Sequence, residues 1–267
     1  MSRVAANADV RLAYEVDGSG APLLLIHGLG YDRAGWGGMH EALAERFRVI
    51  RFDNRGVGES DVPDGPYSVS ALASDAVAVL DAEGLERAHV VGTSLGGMVA
   101  QEIALSHAER VERLVLACTM AGGEGSFPLP DRTVAAFARF PTLPLEQGLR
   151  MLAENSLADE TVARRPELVD ELYAYRLAHR PQLAGWQAQA AAGTAFDRFD
   201  DVASIRAPTL VIHGTADNVV DVRNADLLVE RIPDARLELF DGLGHLFFWE
   251  DPQRFARVVG DFLEDAP

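Results

Sequence analysis

Ser94 lies between two glycines in the run Val90-Val91-Gly92-Thr93-Ser94-Leu95-Gly96-Gly97, a G-x-S-x-G spacing directly after an apolar stretch. That pattern predicts a serine presented on a sharp strand-to-helix turn, where only small flanking residues let the neighbouring chain pass so closely. A helix starting at Leu95 would aim its free N–H groups, and the positive end of its dipole, at any negative oxygen forming beside Ser94 Oγ. The chemistry this suits is attack on a carbonyl, and it requires a base, an acid to orient the base, and a second oxyanion donor.

Seven histidines are available as the base: His27, His40, His89, His107, His179, His213 and His245. His245 follows Gly244 in a loop just past the last expected strand, where its side chain can reach across the sheet end. His213 ends a strand and His89 begins one, which suits packed or edge roles. His107 closes the helix behind Ser94, and His40 and His179 fall at ordinary helix-surface positions. For the acid, Asp217 in His213-Gly214-Thr215-Ala216-Asp217-Asn218 sits on a strand-end loop from which a carboxylate can accept from the base's Nδ1–H. An Asx turn is its structural alternative, and Asp241 is a second candidate acid. The missing oxyanion donor is expected from the loop Ile26-His27-Gly28-Leu29-Gly30, with the Leu29 N–H joining that of Leu95. His27 itself is expected to orient that loop.

Strands are expected at 10–16, 23–27, 49–53, 88–92, 111–118, 209–213 and 236–240. Helices are clearest at 70–83, 95–106, 222–231 and 252–264, with Asp221 and Asp251 as caps of the last two. This alternation predicts an α/β fold with a mostly parallel, doubly wound sheet. From 122 to 205 no strand-like run appears. Helix-forming segments punctuated by Pro128, Pro130, Pro141, Pro144, Pro166 and Pro181 replace it. The expected organisation is a core of 1–121 and 206–267 with a helical lid inserted at 122–205 over the strand ends that carry the catalytic turns.

The bulk composition removes several classes of function. A net charge of −17 opposes binding to nucleic acid or to an anionic membrane surface. All basic residues are arginine, so lysine Schiff-base chemistry and a Walker lysine are impossible. The single Cys118 lies in an apolar run and reads as packing. No signal-like or membrane-spanning stretch is seen, and a soluble cytoplasmic protein is expected. The sequence leaves the oligomeric state open, a homo-oligomer included.

Together, His27-Gly28-Leu29-Gly30, Phe52-Asp53-Asn54-Arg55-Gly56-Val57-Gly58-Glu59-Ser60, the Ser94 turn and the pairing of 214–217 with Gly244-His245 resemble the α/β-hydrolase fold family over essentially the whole chain. The resemblance implies that Asp53, Arg55, Gly56 and Gly58 are scaffold. Within the family the chain is similar to the serine branch of 3-oxoadipate enol-lactonases, esterases and cofactor-free haloperoxidases. Dehalogenases and epoxide hydrolases of this fold use aspartate at the elbow.

The implied activity is cleavage of a small or medium carboxylic ester or lactone by Ser94, His245 and Asp217 through an acyl-enzyme, with no metal and no cofactor. Trp36, Met120, Trp186 and Phe247 are the expected lining of a pocket for an uncharged acyl compound. The same three residues could instead hydrolyse a carbon–carbon bond in a β-diketone-like compound. They could also persist in a ligand receptor of this fold with little turnover.

Overall fold

The computed structural model describes residues 2–265. Its centre is an eight-stranded sheet. The strands are β1 (Arg3–Asn7), β2 (Val10–Asp17), β3 (Pro22–Ile26), β4 (Arg48–Phe52), β5 (Ala88–Thr93), β6 (Val111–Ala117), β7 (Thr209–Gly214) and β8 (Ala235–Phe240). The spatial order is β1-β2-β4-β3-β5-β6-β7-β8, antiparallel across β1-β2-β4 and parallel from β4 onward. Every strand but β1 matches its sequence expectation to within one residue. β1 was not expected because, in Arg-Val-Ala-Ala-Asn, only Ala5 is buried, and an edge strand covered on so little of one face carries no apolar alternation.

The helices are α1 (Met39–Ala44), α2 (Val69–Ala82), α3 (Leu95–Ser106), α4 (Asp131–Arg139), α5 (Leu145–Asn155), α6 (Asp159–Arg164), α7 (Pro166–Ala178), α8 (Leu183–Thr194), α9 (Arg223–Arg231), α10 (Phe247–Glu250) and α11 (Pro252–Glu264). Asp251 caps α11 by accepting from the Arg254 N–H at 3.1 Å, ahead of Pro252. Asp221 stands one residue before the cap position of α9 and still accepts from the Arg223 N–H at 3.0 Å.

Both faces of the central strands are covered, which is why they read as continuous apolar runs. Leu24, Ile26, Val90, Leu116 and Val211 pack toward α2, α3 and α9. Leu23, Leu25, Val91, Val115 and Ile212 pack toward α1, α10, α11 and the insertion. No helix among the described residues is long and apolar enough to cross a membrane.

The insertion holds α4 to α8, and a β-bridge between Gly122 and Asp197 closes its base. Toward its expected end at 205, Val202 and Ile205 are fully buried in the same apolar cluster as Ala192 of α8 and Leu116 of β6. Two seats fix it over the strand ends. At one, Gly185 of α8 lies so close to Gly56 that a Cβ would sit 2.2 Å from the Gly56 carbonyl oxygen. At the other, the Leu246 N–H donates to the Ser156 carbonyl at 2.9 Å.

Candidate active site

β5 delivers Ser94 in a backbone conformation that only a tight turn enforces, with φ 54° and ψ −119°. A non-glycine residue there is strained by about 1–3 kcal/mol, and the surroundings hold it. The Ser94 N–H donates to the Ala117 carbonyl at 2.9 Å, and Thr119 Oγ1 donates to the Ser94 carbonyl at 2.7 Å. The flanking glycines are obligatory. A Cβ on Gly92 would lie 2.2 Å from the Gly96 carbonyl oxygen, and one on Gly96 would lie 2.0 Å from that of Ile26.

Across the sheet end, His245 Nδ1 lies 2.8 Å from Asp217 Oδ2. Asp217 Oδ1 accepts from the N–H groups of Val219 and Val220 at 2.7 and 2.9 Å. The Asx-turn role and the histidine-orienting role are thus divided between the two oxygens of one carboxylate. Burial would raise the Asp217 pKa, but the neighbouring His245 and His213 outweigh it and hold the carboxyl well below the usual carboxylate range. Asp241, the other candidate acid, is exposed and accepts from Thr215 Oγ1 at 3.1 Å.

His245 and Ser94 line one cavity without a direct hydrogen bond between them among the described residues.

The loop after β3 runs immediately beside the serine, since a Cβ on Gly28 would be 3.0 Å from Ser94 Cβ. His27 shapes the loop as expected. Its Nδ1 accepts from the Gly28 N–H at 2.7 Å, its Nε2 donates to the Gly35 carbonyl at 2.8 Å, and its ring stacks on Tyr31. Burial pulls its pKa down to about 4. Neutral His27 is therefore the resident form. The Leu29 N–H makes no hydrogen bond among the described residues, and Leu95 heads α3 where N–H groups lack helical partners. Leu29 and Leu95 border the cavity with Ser94.

The loop from 53 to 60 behaves as scaffold. Asp53 is buried against the Arg33 guanidinium and accepts from the Arg33 and Glu59 N–H groups at 2.7 and 2.8 Å. Arg55 pairs with buried Asp75.

The cavity is about 250 Å³. Of the four residues expected to line it, Met120 and Trp186 do. Trp36 does not: it is fully buried beneath the site, its ring 4.4 Å from that of His27. Phe247 does not either. On the single turn of α10 it points into the core against Phe240 and Phe255, and its neighbour Phe248 faces the cavity.

The sequence profile described as alpha/beta hydrolase fold matches residues 21–252. A 2-hydroxymuconate semialdehyde hydrolase of Pseudomonas putida is 36% identical over 93% of this chain and 89% of its own length. A pimeloyl-[acyl-carrier protein] methyl ester esterase of Aeromonas hydrophila is 32% identical over 92% and 96%. The chain belongs to the alpha/beta hydrolase fold family. Among solved structures, the enol-lactonase from Burkholderia xenovorans LB400 superposes on the hydrolase with a TM-score of 0.87 at 27% identity, covering 98% of this chain and all of that one.

The hydrolase also carries site residues that the sequence did not reveal. Arg176, on α7 of the insertion, lines the cavity and makes no ion pair among the described residues. Its Nη2 donates to Ser156 Oγ at 3.0 Å, its guanidinium lies 4.9 Å from the Tyr31 ring centroid, and its Nε is buried without a partner. The Tyr31 hydroxyl and Asn155 Oδ1, also in the cavity wall, are likewise buried and unpartnered. The wall of a cavity expected to receive an uncharged compound thus includes one guanidinium with no carboxylate partner among the described residues.

Proposed function

We propose that the hydrolase cleaves a small carboxylic ester or lactone through a covalent acyl-enzyme on Ser94, and that its substrate bears a carboxylate received by Arg176. The observation that carries the reading is the Asp217–His245 pair, 2.8 Å apart, opening onto the cavity whose floor is the strained Ser94. His245 Nε2 accepts the Ser94 proton as Oγ attacks the carbonyl carbon, and ionised Asp217 stabilises the imidazolium. The Leu29 and Leu95 N–H groups receive the oxyanion. Collapse expels the alkoxide, protonated by His245, and water repeats the sequence to release the acid. No step requires a metal or an organic cofactor.

A second reading, hydrolysis of a carbon–carbon bond in a β-diketone-like compound, is favoured by the 36% identity to 2-hydroxymuconate semialdehyde hydrolase. The test is multiple-turnover hydrolysis of p-nitrophenyl acetate, butyrate and hemisuccinate by wild type and Ser94→Ala, with intact-mass detection of an acyl adduct. Turnover that falls at least ~10⁴-fold in the variant supports the ester reading. Ester inertness combined with cleavage of a carboxylated β-diketone transfers the assignment to the second reading.

A further inference from the structure

We propose that His213 is a second imidazole donor to the carboxylate of the triad, a positioning residue that holds Asp217 ionised and aimed at His245. The inference rests on the triad reading above and goes beyond it, since His213 touches neither serine nor substrate.

His213 sits near the C-terminal end of β7 with no exposed surface. Its Nε2 lies 3.0 Å from Asp217 Oδ2, the same oxygen that faces His245 Nδ1, and 3.2 Å from the Val220 carbonyl oxygen. Both neighbours of Nε2 are acceptors, so that nitrogen carries the proton. Its Nδ1 is buried without a partner, and a proton there would be stranded. The geometry therefore selects one species, the neutral imidazole protonated on Nε2.

The charged and titratable groups around this imidazole are Asp217, His245 across the shared oxygen, Asp221 on the following turn and the Cys118 thiol on the Asp217 side. Only Asp217 is within hydrogen-bonding distance.

The consequence for catalysis follows from donor count. Asp217 accepts from two backbone N–H groups on Oδ1 and faces two imidazoles at Oδ2. A carboxylate so supplied stays ionised when His245 becomes an imidazolium, so the Ser94 proton rests on His245. Without His213, more of the negative charge on Oδ2 would fall on the bond to His245. That raises the proton affinity of His245 and moves upward the pH below which it is already protonated, while a carboxylate held by fewer donors aims the imidazole less well and lowers the rate even where His245 is neutral.

The test uses a fluorophosphonate probe, whose second-order rate of attachment to Ser94 across pH reports the base without needing the natural substrate. His213→Gln places an amide N–H where Nε2 stood, whereas the shorter His213→Asn does not reach Asp217. The expected result is a plateau rate about tenfold lower in the Asn variant, with the acid limb moved about half a pH unit upward, and near-wild-type behaviour in the Gln variant. Nitrogen NMR of the imidazoles in the unmodified protein provides a check that survives a misfolded variant, because it should show His213 neutral with its proton on Nε2. Equal rates and midpoints in wild type, Gln and Asn would overturn the proposal, as would a proton found on Nδ1. Failure of the wild type to label at Ser94 would instead bring down the triad reading on which the proposal rests.

Discussion

Gln189, on helix α8 of the insertion, holds the loop of the expected oxyanion donor by its side-chain amide: Oε1 accepts from the Gly30 N–H at 3.0 Å. The other end of the amide donates to the Arg55 carbonyl at 2.8 Å, and Trp186 from the same helix packs over Gly30. Helix α8 thus fixes one end of the cavity as well as lining it. Gln189→Leu strands the Gly30 N–H and frees Leu29 to drift. The expected loss is about tenfold in kcat with a smaller change in KM, measured on a p-nitrophenyl ester. A change confined to KM would mean that Gln189 only contacts substrate.

The two candidate acids separate by substitution. Asp217→Asn cannot accept from His245 in the tautomer the base needs, and activity should fall by ~10³–10⁴-fold. Asp241→Asn removes only an exposed charge, since the amide oxygen can still accept from Thr215, and activity should stay within about twofold of wild type. Steady-state rates of the two variants check both statements, and comparable losses would place the acid elsewhere.

Ser94, Asp217 and His245 were legible because each lies on a short strand-end turn whose glycines and position announce its geometry within a few residues. The central strands were legible for a related reason, since burial on both faces leaves uninterrupted apolar runs. The wall of the cavity was not. Arg176 and Gln189 reach the site only because α7 and α8 fold back over strand ends far away in the chain, and nothing local marks an arginine or glutamine on a helix as inward-facing. On α10, Phe247 and Phe248 are equivalent in sequence, and only the direction in which the chain leaves His245 decides which one lines the cavity.

Glu250 joins the His245 loop to the insertion. Its buried carboxylate accepts from the Gly244 N–H at 2.6 Å, the Ala158 N–H at 3.4 Å and the Thr161 hydroxyl. Burial raises its pKa against the pull of those donors. Glu250→Ala leaves the donors unsatisfied and should cost about 2–4 kcal/mol in urea unfolding, with activity falling alongside as His245 loses its support. Glu250→Gln keeps an acceptor and should recover more than half of both losses. An alanine variant as stable as wild type would show that the clamp is dispensable.

His27 gives the stability of the fold a pH dependence of defined sign. Its pKa is about 4 in the folded protein against about 6.5 for an ordinary histidine side chain, so between these pH values the unfolded chain binds a proton that the native state refuses. Its contribution is intact above pH 6.5 and is lost as pH falls toward 4, by about 3 kcal/mol in all. His40 and His89, also depressed by burial, add to the same slope. The difference in unfolding free energy between wild type and His27→Gln, followed from pH 7 to 4, isolates the His27 share. A difference independent of pH would show that His27 is not neutral and buried in solution.

Arg176 sets the expected substrate preference. A guanidinium in a cavity wall with no carboxylate partner gains most from a ligand that brings one, because a charge-assisted bond there replaces a costly unpaired state. An ester with a terminal carboxylate should therefore outperform its neutral analogue of equal length, and p-nitrophenyl hemisuccinate should be cleaved with a higher kcat/KM than the butyrate. Arg176→Met keeps a stem of similar apolar character while removing the guanidinium and its charge. The variant should lose about 10–100-fold in kcat/KM on the hemisuccinate and less than about threefold on the butyrate. The size of the double difference matters more than either loss alone, since a general disturbance of α7 lowers both substrates together. Equal losses would leave Arg176 as a structural partner of Ser156 and Tyr31, and the carboxylate would have to be received elsewhere or not at all.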